Sequence, residues 1–169
     1  MRERYGTIIP YLKNRKEDYL PDVFTIEMDL YFAPSYTAYH LYLFDTKNQE
    51  NQGMETGDYG DCQISVYANN VYTRTTGSKN LPGTDSDNLE EGGNPVWRHI
   101  SIAYTKGKLK VYMDDTRLVN IPHFEGNPSG FTIVGSGNGA PEEMRFIKNV
   151  RIAKGGVKYY DRVMQDGKI

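Results

Sequence analysis

From Phe24 to Phe32 the chain alternates without a break: Phe24, Ile26, Met28, Leu30 and Phe32 fall on one side, and Thr25, Glu27, Asp29 and Tyr31 on the other. A period of two marks an extended strand with one buried face. The alternation recurs at Cys62, Ile64, Val66 and Ala68 against Gln63, Ser65 and Tyr67, and at Leu109, Val111 and Met113 against Lys110, Tyr112 and Asp114. Short β-rich runs at 39–44, 71–75, 97–104, 116–121, 131–134 and 145–152 are each bounded by Gly, Pro, Asn or Asp. They bring the set to about nine or ten strands. Helical periodicity is nearly absent, so the predicted class is all-β.

The connections refine this. Lys106-Gly107 and Asp114-Asp115 sit between strand patterns and tolerate positive φ, which predicts two tight hairpins and a three-stranded meander over 97–121. Two longer polar stretches, 46–60 and 77–95, hold most remaining turn residues, and connections of that length in a compact domain tend to be functional or mobile. Antiparallel strands with long crossing loops fit a two-sheet antiparallel β-sandwich, a jelly roll, better than a closed barrel. After Gly155-Gly156 the residues 159–165 could form a short helix, so the chain divides into a sandwich domain over 1–156 and a tail over 157–169.

Composition removes whole classes of function. With 169 residues the chain can bury a core of its own, and a single cysteine, Cys62, closes no disulfide and supplies no zinc cluster. Lys and Arg number 20 against 22 Asp and Glu, with no long basic run, so nothing in the charge balance points to nucleic acid. No apolar stretch is long enough to cross a membrane as a helix. The 17 glycines, 8 prolines and 14 tyrosines again favour turns and strands.

Candidate chemistry is sparse. The run Gly135-Ser136-Gly137-Asn138-Gly139-Ala140 has the letters of a dinucleotide fingerprint, but strand patterns flank it on both sides and no crossover helix follows to hold a phosphate. No cofactor is expected. Glu27 and Asp29 share a strand face, the arrangement a sandwich glycosidase would use, yet Phe32 stands where such strands carry a third carboxylate. A solvated pair on an exposed face is the plainer expectation. His40, His99 and His123 are scattered, no serine lies in a nucleophile elbow, and Cys62 alternates with core positions, so nucleophilic catalysis has no constellation. His99, two residues after Trp97, reads as a packing and hydrogen-bonding residue. Asp85 and Asp87, with Asn88, Glu90 and Glu91, gather oxygen donors in the second long loop; Glu90 stands where a helical-hand loop needs glycine, which leaves only a looser calcium site. Tyr31, Tyr42, Tyr67 and Tyr112 point away from the aliphatic faces, and aromatic faces stack on sugars. With Asn69 and Asn70 beside them to bond hydroxyls, these six are the candidate glycan contacts; Tyr36, Tyr39, Tyr72, Asp58 and Asp61 lie nearby in sequence.

The segments Phe24-Thr25-Ile26-Glu27-Met28-Asp29-Leu30-Tyr31-Phe32, Trp97-Arg98-His99-Ile100-Ser101-Ile102-Ala103-Tyr104, Leu109-Lys110-Val111-Tyr112-Met113-Asp114-Asp115-Thr116-Arg117-Leu118 and Ile147-Lys148-Asn149-Val150-Arg151-Ile152, in that order, resemble the concanavalin-like, laminin G-type jelly rolls. That resemblance implies the fold and no single ligand, since such jelly rolls include lectins, hydrolases and adhesion modules. The tail, Arg151-Ile152-Ala153-Lys154-Gly155-Gly156 with Tyr159-Tyr160-Asp161-Arg162 and Asp166-Gly167-Lys168-Ile169, resembles the junction before the peptidoglycan-binding domain of Gram-negative outer membrane protein A-like (OmpA-like) proteins. It implies a cell-envelope location, periplasmic or associated with the outer membrane, and a chain continuing past Ile169. Peptidoglycan binding belongs to that further domain and to no residue here.

The sequence therefore reads as a non-catalytic binding or spacer module of an envelope protein, contacting a glycan or an envelope protein. The alternative is a sandwich glycoside hydrolase using Glu27 and Asp29.

Overall fold

The computed structural model describes residues 19–33, 37–46, 62–74, 95–124, 126–136 and 144–155, and the backbone alone of 6–8. Among the described residues there are ten strands: β1 (Gly6–Ile8), β2 (Val23–Phe32), β3 (Ala38–Phe44), β4 (Cys62–Val66), β5 (Val71–Arg74), β6 (Val96–Thr105), β7 (Lys108–Met113), β8 (Thr116–Ile121), β9 (Gly130–Ser136) and β10 (Ile147–Lys154). They make two five-stranded antiparallel sheets, one ordered β1-β9-β3-β4-β5 and the other β10-β2-β6-β7-β8. The all-β sandwich expected from the alternation is what the chain forms. The possible helix at 159–165 and the bodies of the two long connections lie outside the described residues.

Alternation does the sorting. Ile26, Met28, Leu30, Ile100, Ile102, Leu109 and Val111 face inward from the second sheet, and Leu41, Leu43, Ile64, Val66, Phe131 and Ile133 from the first. All are buried. Each such side chain removed from water contributes roughly 1.5–3 kcal/mol, so the interleaved faces hold the sheets together. Cys62 and Phe32 belong to this core. Arg98 adds a polar tie at one end, where its Nε donates to Ala68 O at 2.8 Å and its Nη1 to Asp114 Oδ2 at 2.8 Å.

The turns follow their residues. Lys106 (φ 43°) and Gly107 (φ 80°) are both left-handed, which matches the twist of the strands joined by a two-residue hairpin. Asp114 (φ 54°) opens the β7–β8 hairpin. At Gly130 the constraint is space, because a Cβ would lie 2.7 Å from Phe44 Cε2 and 2.8 Å from Thr46 Cγ2.

Several boundaries differ from the sequence reading. β4 ends at Val66 instead of continuing to Ala68, since Tyr67 N donates to Asn70 O at 2.9 Å and closes a turn. The three-residue β1 was not legible as alternation; it pairs with β9. The last strand runs over 147–154 rather than 145–152, and it is interrupted. Lys148 pairs with Asp29 and Arg151 with Glu27, so Asn149 and Val150 together stand opposite Met28. This is a β-bulge, with Asn149 left-handed at φ 55°. In an unbroken strand Ile147 and Ile152 would point to opposite faces. The extra residue turns both toward the core, against which both pack. A second shift between Val111 and Tyr112 leaves Leu118 without a ladder partner and lets the consecutive Leu118 and Val119 both be buried.

Candidate functional site

The pairing of β2 with β6 sets Tyr31 beside Trp97 on the outward face of the second sheet, with ring centroids 5.4 Å apart. Phe146, immediately before β10, closes on the other side of Tyr31 at 5.6 Å, and its carbonyl accepts Tyr31 N–H at 3.0 Å. Trp97 is 40% exposed and Phe146 49%, so three rings in contact present an open aromatic surface. Lys148 Nζ sits 4.0 Å from the Trp97 centroid, within cation–π range. The aromatic surface rests on a fixed support. Tyr39, buried and packed edge-on to Phe32 at 5.3 Å, reaches across from the first sheet. Its hydroxyl lies 2.6 Å from Tyr31 O and 3.3 Å from Phe146 O, able to donate to both strands that carry the rings. Burial pushes the Tyr39 hydroxyl up to about 12, so it stays protonated and remains a donor.

A polar cluster adjoins the rings on the same face. His99 pairs with Asp29 and Ser101 with Glu27 across the β2–β6 ladder. His99 Nδ1 lies 2.6 Å from Asp29 Oδ1, and because a carboxylate only accepts, Nδ1 carries the proton. Asn149 Nδ2 donates to Asp29 Oδ2 at 2.7 Å, an aim set by the bulge. Burial pushes the Asp29 carboxyl up, but the hydrogen bonds from His99 and Asn149 and the charges of His99 and Lys148 outweigh it and hold the group below its ordinary value. Glu27, buried, pairs with Arg151 Nη2 at 3.1 Å and lies 4.0 Å from His99 Nε2. The expectation of a solvated carboxylate pair is thereby corrected. Both groups are bound into a network, because β10 brings Arg151 and Asn149 onto them.

The six sequence candidates divide between the two sheets. Tyr31 and the half-buried Tyr112, the register partner of Ser101, occupy the face just described. Tyr42 points outward from β3 on the other sheet, but it is 5% exposed and presents no ring to solvent. Tyr67, Asn69 and Asn70 form the β4–β5 turn, where Tyr67 meets Tyr72 edge-on at 5.7 Å and Asn70 Nδ2 donates to Tyr72 Oη at 3.3 Å. No single surface gathers all six. Asp85 and Asp87, with Asn88, Glu90 and Glu91, lie outside the described residues, as do Tyr36, Asp58, Asp61 and the glycines 137 and 139. Among the described residues, no group of three His, Cys, Asp or Glu side chains is arranged to hold a metal ion.

Trp97, Phe146, Lys148, Asn149 and Arg151 were missed as site residues. Trp97 could have been found by parity, since it shares the face of His99 and Ser101. Phe146 could not, because the bulge after it breaks the count.

No protein-family model and no curated protein matches the sequence. Solved structures do match its fold. The carbohydrate recognition domain of Emp46p, in a potassium-bound form, has a TM-score of 0.63 at 18% identity, over 92% of this chain and 81% of that one. A tetrameric galectin from the ball sponge Cinachyrella gives 0.55 at 8% identity over 88% and 99%. A toad ovary galectin, solved in complex with thio-digalactose, gives 0.52 at 9% identity over 88% and 98%. At these identities the likeness is one of fold: the chain is a lectin-like jelly-roll sandwich.

Proposed function

We propose that this chain is a non-catalytic carbohydrate-binding module whose sugar contact is the outward face of the β10-β2-β6 sheet. The observation that carries the reading is the exposed cluster of Tyr31, Trp97 and Phe146. Flat apolar rings match the C–H face of a sugar, and the adjoining polar groups of Asp29, His99 and Asn149 can exchange hydrogen bonds with its hydroxyls. The fold is one that the Emp46p recognition domain and the galectins also have. A glycosidase would need one carboxyl kept protonated to deliver a proton, whereas Asp29 is held ionised and Glu27 is tied to Arg151. The tail resemblance supports placing the module in a cell-envelope protein, which fractionation of cells making the whole protein would test.

The 169-residue chain applied to a glycan array should bind a restricted set of sugars. Trp97→Ala should abolish that binding while leaving the melting temperature within a few degrees. An array with no signal would reduce the module to a spacer. Hydrolysis of any array glycan, lost in Glu27→Gln, would replace the proposal with the glycosidase reading.

A further inference from the structure

The outward face of the second sheet is charged quite differently from the chain as a whole. Basic and acidic residues nearly cancel over the full sequence, with acids slightly ahead. On this face Lys148 and Arg151 of β10, Lys108 and Lys110 of β7 and Arg117 of β8 project outward, in positions alternating with or paired to the outward side of the ladder. Only Glu27 and Asp29 oppose them among the outward strand residues. Both carboxylates are already matched, Glu27 by Arg151 at 3.1 Å and Asp29 by His99 and Asn149. Among the described residues, no carboxylate lies within 4.0 Å of the charged atoms of Lys108, Lys110, Arg117 or Lys148, although the Lys148 charge acts on Asp29 opposite it.

One row of partners measures how far the outward cations are spread across the sheet. Arg151, Glu27, Ser101, Tyr112 and Arg117 are successive register partners across all five strands. With strands about 4.8 Å apart, that row spans roughly 19 Å, the length of several sugar residues. Beside it, Lys148 lies both over Trp97 and opposite Asp29. A sugar stacking on that ring face would displace the flexible Lys148 side chain to its own edge, where the ammonium can meet a ligand carboxylate. The row's span exceeds the screening length of about 8 Å at physiological salt, so each cation would act on the ligand charge nearest to it, and an extended ligand with several charges would meet more than one.

Resting on the carbohydrate-binding reading, we infer that the ligand is an acidic glycan. One sugar ring lies against Trp97 and Tyr31 with its carboxylate at Lys148, and later carboxylates of the same chain reach Arg117 and Lys110. Asp29 stands in hydrogen bonds from His99 and Asn149 and opposite the Lys148 ammonium, which moderates its repulsion of an acidic ligand.

The test is titration of the 169-residue protein with oligogalacturonate, hyaluronan oligosaccharides and sialyllactose, each beside its carboxyl methyl ester. At least one acid should bind about tenfold or more tightly than its ester, a difference of about 1.4 kcal/mol. About 0.5 M salt should erase the gap by shortening the screening length. Lys148→Gln should close it and Lys148→Arg should preserve it. Equal binding of every acid and ester overturns the inference while leaving carbohydrate binding intact. So does a short single-stranded DNA that binds as tightly as the best acid, since the face would then select charge and not sugar. Binding of none of these probes overturns the inference too. The glycan array then decides separately whether the module binds neutral sugars or none.

Discussion

Tyr39→Phe removes one oxygen atom, and with it the donor shared by the carbonyls of Tyr31 and Phe146. The carbonyls lie beneath the aromatic cluster, so the loss acts on stability and on the site together. Removing one partner of a buried hydrogen bond and leaving the other unsatisfied costs about 1–3 kcal/mol, and urea unfolding of the variant should show a loss of that order. An unchanged midpoint would mean that the hydroxyl supports nothing. His40 offers a second residue-level test. His40 Nδ1 lies 2.9 Å from Ser65 Oγ and 3.1 Å from Gln63 Nε2, an amide donor that a neutral ring can satisfy by accepting at Nδ1. Burial, and then the charge of Arg74, push the His40 pKa below its ordinary value. The unfolded chain therefore takes up this proton first, near pH 6.5, and stability falls as pH drops through that value. Unfolding of wild type and His40→Leu at pH 7.5 and 5.5 should show the larger loss in wild type. A smaller loss there would reverse the assignment. At this scale the sequence was legible where parity alone decides: Phe32 and Cys62 are inward as expected. It misjudged Glu27, because the partner that buries its charge comes from a strand more than a hundred residues later.

Among the elements, β10 carries the most functional consequence. Its bulge turns Ile147 and Ile152 to the core and at the same moment puts Lys148, Asn149 and Arg151 onto Trp97, Asp29 and Glu27. Asn149 has φ 55°, a conformation costly for a β-branched residue and free for glycine. Asn149→Val should therefore lose about 1–3 kcal/mol by thermal or urea unfolding, and Asn149→Gly much less, although both lose the bond to Asp29. Equal losses would place the importance of Asn149 in its side chain and not in its backbone. The existence of this strand was legible from its apolar and β-branched residues. Its bulge was not, since nothing in Ile147-Lys148-Asn149-Val150-Arg151-Ile152 says which residue is the extra one until Met28 is known to face two of them. The register that sets Tyr31 beside Trp97 was hidden for a similar reason. It depends on how two strands separated by β3, β4 and β5 align, and alternation fixes the face of a residue without fixing its neighbour.

At the scale of the whole molecule, the described residues form two sheets closed around a shared aliphatic core, the first presenting a buried Tyr42 and the second an open aromatic group with outward cations around it. That asymmetry decides which face binds. Tyrosines spread over both sheets looked like one resource in the sequence, and the fold separates them. The chain contains a single tryptophan, which is Trp97, so its fluorescence reports on the proposed site alone. The most direct measurement is a fluorescence titration of the unmodified protein with the glycan that gives the strongest array signal. Sugar stacked on the indole should shift its emission to shorter wavelength in a saturable manner, with a midpoint equal to the affinity from calorimetry. Calorimetric binding of that glycan with no change in Trp97 emission would contradict the account, because the sugar would then be held elsewhere.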